Sequence, residues 1–171
     1  VIESTSGLIP DAVAEALTTK VTGSGLAPTP ILTWLATRLI AADGLVPYSL
    51  VSAIGPDAGG DARVADWLAT PGDRPPMVLN EWTARELHAQ PGTIVNLEYF
   101  TWLDSGQLVT QLASFRVAGI LPMTGLGVDR RLAPDYPGMT TANNVSDWDP
   151  PLPIDLGLLR PQDDTYWRSY G

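Results

Sequence analysis

Residues 78–123 read VLNEWTARELHAQPGTIVNLEYFTWLDSGQLVTQLASFRVAGILPM, and the punctuation of this stretch decides the fold. Met77, Val78 and Leu79 form a short apolar run suited to a buried strand, and Asn80 stands where a helix N-cap belongs. Residues 81–89 have helix-forming composition, and Pro91-Gly92 then turns the chain. Two longer segments follow, 94–103 and 108–121, separated by Asp104-Ser105-Gly106-Gln107, and both read as strands. In the first, Ile94, Asn96 and Glu98 alternate with Val95, Leu97 and Tyr99. In the second, Leu112, Phe115, Val117 and Ile120 supply the apolar side with one slip in period, the mark of a β-bulge. Strand, helix and meander together give an α+β pattern: a mixed, mainly antiparallel sheet with short helices packed on it.

Upstream of this unit, Pro10 opens a helical pattern at 10–20, with Val13, Ala16 and Leu17 on one side and Asp11 and Glu15 in its first turns. Residues 22–30 have loop chemistry. The apolar segments 31–40 and 46–54 flank Ala41-Ala42-Asp43-Gly44, which predicts an antiparallel hairpin, with a helix at 31–40 as the alternative. Residues 55–60 read as a flexible connector, and 61–69 as one or two helical turns with Val64 and Leu68 on one face.

Downstream, residues 121–171 hold seven Pro and seven Asp and show little periodicity. Trp148, Tyr166, Trp167 and Tyr170 nevertheless need something to pack against. The tail therefore reads as an extended, Pro/Asp/aromatic-rich C-terminal strap lying over the body. The whole, 1–171, is expected to be one domain, divisible into an α+β lobe at 1–75, a strand-helix-meander lobe at 76–125 and the strap at 126–171.

At 171 residues with 44% hydrophobic and 17% charged residues, the chain can bury a core without disulfides or metals. Ten basic residues against nineteen acidic ones give a net charge of -9, which disfavours nucleic acid as a partner because no basic footprint is available for phosphates. There is no Cys, so thiolate chemistry is excluded, and His88 is the sole histidine, so a His-rich metal site cannot form within one chain. The most apolar stretch, 31–42, is interrupted by Thr33, Thr37 and Arg38, short of the roughly 18 uninterrupted residues of a membrane span.

The candidates for chemistry each have a simpler reading. Asp147, Asp149, Asp155, Asp163 and Asp164 offer oxygen ligands but lack the spacing of a calcium loop, and they read as turn and capping residues. His88 lies near the end of the 81–89 helix, where its ring can cap free carbonyls. Gly23-Ser24-Gly25 is too short for a nucleophile elbow, and no phosphate-binding glycine loop is present. Glu81, Glu86 and Glu98 are a generic carboxylate possibility that no spacing rule selects. Asn144-Val145-Ser146 matches a glycosylation acceptor. No catalytic, cofactor-binding or metal-ligating residue is assigned, and no cofactor is expected.

With its short strand, Asn-Glu helix start, Pro-Gly turn, two long strands and closing F-x-V-A-G-I-L unit, the 78–123 segment resembles the extracytoplasmic domain of FtsX-like and MacB-like ABC transporter permeases. Two further blocks in the same order are similar to segments of these permeases, LTWLATRLIAADGLVPYSLVSA at 32–53 and WDPPLPIDLGLLRPQDDTYWRSY at 148–170. Thr93 follows Pro-Gly where the pattern usually has Asp. The resemblance implies a non-catalytic domain on the extracytoplasmic side of a bacterial cell membrane, excised from a longer membrane protein, in keeping with a chain that begins at Val1 rather than Met. Its implied partners are transmembrane helices of the same polypeptide, an ABC ATPase subunit acting indirectly, a second permease domain, and an exported lipid, lipoprotein or peptide. Small β-barrels of unrelated enzymes carry a similar strand-helix-Pro-Gly-strand unit, so a small soluble α+β or β-barrel hydrolase using Asp/Glu residues is the alternative.

Overall fold

The computed structural model describes residues 2–4, 8–55, 61–133, 135–136, 138–149 and 152–170; of the connector read at 55–60, residues 56–60 lie outside them, as do Pro150 and Pro151 of the tail. In chain order the elements are α1 (Asp11–Gly23), β1 (Ile31–Ile40), β2 (Leu45–Ile54), α2 (Ala62–Ala69), β3 (Pro76–Asn80), α3 (Glu81–Glu86), β4 (Ile94–Trp102), β5 (Leu108–Leu121) and α4 (Pro161–Tyr170). The strands form one sheet in the order β2-β1-β4-β5-β3. All neighbours are antiparallel except β3 and β5, which run parallel. The chain is thus α+β with a mixed, mainly antiparallel sheet. Residues 31–40 form a strand, not the alternative helix, and Ala41 N–H donates to Gly44 C=O at 3.0 Å to close the turn.

The segment 76–94 folds by local rules that its sequence carries. Asn80 caps α3, its Oδ1 accepting from Thr83 N–H at 2.8 Å. The helix stops at Glu86, three residues before the predicted end, because His88 takes a left-handed backbone with φ 51°. His88 N–H donates to Arg85 C=O at 3.1 Å and Ala89 N–H to Ala84 C=O at 2.8 Å, the paired bonds of a Schellman terminus. In the Pro-Gly turn Gly92 has φ 95°, and Thr93 Oγ1 accepts from Gln90 N–H at 3.0 Å, the short-range bond that Asp would otherwise make.

The slip in period on β5 is a bulge, and the register with β3 fixes its position. β4 and β5 pair in uniform register from Ile94↔Arg116 to Trp102↔Leu108. The irregularity falls against β3, where Met77 pairs with Val117 and Val78 with Gly119, leaving Ala118 as the extra residue. Phe115, Val117 and Ile120 reach the core across that bulge, whereas Leu112, opposite Glu98, faces out at 60% exposure. A second bulge, between Ala36 and Arg38 of β1, breaks the pairing with β4.

Side chains on the two faces of the β1–β2 ribbon belong to different clusters. Ala36 and Val51 join the main core, in which Val95, Leu97 and Val117 of the central strands meet Met77 and Leu79 of β3 and Ala84 and Leu87 at α3. Leu35 and Leu50, the next residues along, point the other way and pack with Met139, Val145, Trp148 and Trp167 of the tail. The tail aromatics do find a body to pack against: Trp148 meets Tyr48 edge-on at 6.2 Å and Trp167 at 4.9 Å. The tail's backbone departs from the extended form expected of it at 161–170, which is helix α4, and at the short 3-10 turns Gly125–Val128, Arg130–Leu132, Val145–Asp147 and Leu156–Leu158. Pro161 at the first helical position and Asp163 and Asp164 in the first turn are the helix-start signals that the surrounding prolines obscured.

Candidate functional site

A cleft of about 880 Å³ is bordered by the β2 and β3 edges, the 126–133 turns and the end of α4. Its floor is apolar. Trp34 and Tyr99 meet there edge-on at 6.2 Å, and Leu32 and Trp34 remain 44% and 37% exposed. At the other end, Trp82 of α3 stacks on Tyr166 of α4 at 4.2 Å, with Tyr170 5.3 Å from Tyr166.

Asn80 ties this end together. Beyond its cap bond, its Nδ2 donates to Gly127 C=O at 3.2 Å and to Tyr166 Oη at 3.0 Å, so a single amide joins β3, α3, the first tail turn and α4. Burial pushes the Tyr166 phenol above its ordinary value, an effect that the Asn80 hydrogen bond only partly opposes. Arg160 supplies a second tie, meeting Glu86 at 3.4 Å and Asp163 at 2.7 Å. Glu86 is turned into this contact and is only 16% exposed.

The three predicted carboxylate candidates are held by different partners. Glu81 Oε2 accepts from Met123 N–H at 3.3 Å, Glu86 faces Arg160, and Glu98 faces Arg38 at 3.5 Å. His88 is exposed and serves through its backbone rather than its ring. Ser24 ends α1, its Oγ donating to Lys20 C=O at 3.1 Å. The tail acids act locally: Asp155 caps a turn through Gly157 N–H at 2.9 Å, Asp147 accepts from Asn144 Nδ2, and Asp164 accepts from Val145 N–H at 3.1 Å and pairs with Arg168 at 2.7 Å. Asp149 donates its backbone N–H to Gly138 C=O at 2.8 Å. Asp163, 6% exposed, accepts from the Arg160 backbone and guanidinium. Asn144 also accepts from Arg168 at 3.1 Å, and Val145 beside it is buried. Among the described residues no group of three or more acidic or histidine side chains is placed to hold a metal ion.

Sequence reasoning found Asn80 as a cap and missed its grip on the tail, because Tyr166 lies 86 residues away and a cap signal carries no information about the amide's remaining donors. It missed the Arg160–Glu86 contact for the same reason. No protein-family model matches the chain, and no curated protein matches it.

Proposed function

We propose that the chain is the extracytoplasmic domain of an FtsX-like or MacB-like ABC transporter permease, a non-catalytic body that moves with flanking membrane helices and passes ATP-driven displacement to an exported substrate. The observation that carries this reading is that the three resembling segments fold onto one another. The 32–53 block is the β1–β2 ribbon, the 78–123 block supplies β3, α3, β4 and β5, and the 148–170 block covers the outer side of the ribbon through Trp148 and Trp167. Close-packed elements of this kind transmit displacement without deforming, which is what a mechanical relay requires. The engagement of Glu81, Glu86 and Glu98 with separate partners favours this reading over a hydrolase built on paired carboxylates.

No helix among the described residues is long and apolar enough to cross a membrane, so the membrane helices of this proposal belong to sequence outside this chain. The test is the reading frame around the segment. Apolar stretches of about 20 residues on either side of Val1 and Gly171 are expected. Flanks without such stretches overturn the proposal, as does substrate turnover by the isolated chain that vanishes in Glu86→Gln or Glu98→Gln.

A further inference from the structure

A second, smaller pocket of about 190 Å³ lies where the tail crosses the sheet. On the sheet side it is bordered by Thr37 and Arg38 of β1, Tyr48 of β2, and Glu98 and Phe100 of β4, and on the tail side by residues of the 153–158 segment. Glu98 and Phe100, two residues apart, share one face of their strand. Tyr48 fixes the tail wall: its phenol oxygen accepts from Asp155 N–H at 2.6 Å, and its O–H donates to Asp155 C=O at 3.4 Å.

The backbone is irregular here in two neighbouring strands. Thr37 is the extra residue of the β1 bulge against β4, and Tyr48, across from it in the β2 ladder, has the left-handed φ of 45°. Bulges re-aim the side chain they carry, and backbone strain gathers at ligand sites. Thr37 is only 9% exposed, yet among the described residues its hydroxyl has no hydrogen-bond partner. Of such orphaned polar atoms among the described residues, only Trp148 Nε1 is sealed off, so the Thr37 oxygen opens on accessible space, and Thr37 borders this pocket. A hydroxyl drawn out of bulk water without a partner is destabilising, and a ligand that bonds to it removes that penalty.

The groups around Thr37 define the ligand. Arg38 and Glu98 touch through a single Nη1 to Oε2 contact at 3.5 Å, which leaves Glu98 Oε1 and the other guanidinium N–H groups uncommitted. Asp155 spends Oδ1 on Gly157 N–H at 2.9 Å and keeps Oδ2. An anion at this place meets two carboxylates and an amine meets a guanidinium, whereas a hydroxyl accepts from the one, donates to the other and carries no charge. Phe100, half-buried, offers an apolar ring beside these polar groups. The volume is below the roughly 300–1,000 Å³ of sites for drug-sized ligands, so the ligand is a single small ring.

We propose that this pocket binds one sugar ring. Adjacent hydroxyls of the ring bridge Arg38 and Glu98, another meets the Thr37 hydroxyl, and the ring's C–H face lies on Phe100, whose π face is negative. The proposal rests on the orphaned hydroxyl, the half-used ion pair and the size of the pocket, and it stands independently of the transporter reading.

The test is a titration of the isotope-labelled chain with glucose, galactose and mannose and with their methyl glycosides, to about 100 mM. At least one is expected to give saturable shifts with a Kd of about 1–10 mM, confined to residues bordering the pocket. A methyl glycoside that binds as well as its free sugar supports recognition of a glycan end, and binding of the free sugar alone supports a free monosaccharide. Thr37→Val and Glu98→Gln are each expected to weaken binding at least about tenfold. Thr37→Val should unfold at no lower a urea concentration than the parent, because the hydroxyl it removes has no protein partner. No saturable shift with any of these sugars, or shifts elsewhere on the molecule, overturns the site. Unchanged affinity in both variants does the same, and glycine or acetate binding as tightly as the best sugar overturns the sugar reading.

Discussion

Asn80 uses both polar atoms of its amide on different elements, and this sets its energetic weight. A helix cap alone is worth about 1 kcal/mol, and each further hydrogen bond about 0.5–1.5 kcal/mol. Asn80→Ala is therefore expected to lose about 2–3 kcal/mol in urea denaturation, and Asn80→Asp, which keeps the cap acceptor but cannot donate to Gly127 C=O or Tyr166 Oη, an intermediate amount. If the Asn80→Asp protein is as stable as the parent, the tail contacts of the amide contribute nothing. His88 illustrates the opposite case, a side chain that costs stability. Its left-handed backbone at φ 51° fills the position where helices usually end in Gly, so His88→Gly is expected to raise stability by about 1 kcal/mol, and no gain contradicts the strained terminus. Tyr166 gives the molecule an alkaline limit. Burial raises its folded pKa above the ordinary 10.0, so the neutral phenol is the form the fold favours. Stability is then full below about pH 10 and falls as pH rises through the folded value, with Tyr136, also raised by burial, acting in the same direction. In Tyr166→Phe the fall in stability above pH 10 should be shallower than in the parent; an unchanged alkaline slope would place the phenol in solvent.

Between elements, glycine sets how closely neighbours approach. A Cβ on Gly119 of β5 would lie 2.2 Å from the Trp67 ring of α2, and one on Gly44 would lie 2.4 Å from Leu87 Cα at the end of α3. Gly119→Ala is expected to cost about 1–3 kcal/mol by overpacking, and much of that cost should disappear when Trp67→Ala is added, a coupling that a double-mutant cycle reads directly. Additive losses would show that α2 does not rest on that glycine. These contacts also mark how far the sequence could be read. The strands, the Asn80 cap and the Pro-Gly turn were legible because each is written in adjacent residues: alternation, a capping side chain, a glycine at φ 95°. The Asp-Gly turn was legible as a turn, but the reason for its glycine was not, since Leu87 lies far along the chain. The bulge was legible as a slip in period but its position was not, because Leu112 is apolar yet faces outward and only the register with β3 puts the extra residue at Ala118. α4 was hidden by proline-rich flanks. Of the cleft, the sequence carried its parts, Trp34, Trp82 and Tyr166, and nothing of their assembly, which depends on β2 and β3 forming the two edges of one sheet.

As one body, the molecule depends on its tail. The outer side of the β1–β2 ribbon offers Leu35 and Leu50 as a floor, and Met139, Val145, Trp148 and Trp167 close over it. Each large aromatic can remove roughly 150–250 Å² from water, several kcal/mol in total, against an ordering cost reduced by the prolines of the tail. The Arg160–Glu86 pair and the Asn80–Tyr166 bond fix the far end on α3. A relay of displacement needs this coupling, because a tail that opened separately from the sheet would absorb motion instead of passing it on. Native-state hydrogen exchange on the intact chain tests this directly. Amides of Val145, Asp163 and Trp167 should open with the same free energy as those of Val95, Leu97 and Val117 in the central strands, in one global transition. Tail amides that exchange orders of magnitude faster than the central strands, through a separate opening that leaves the sheet protected, would contradict the single rigid body on which the proposed function rests.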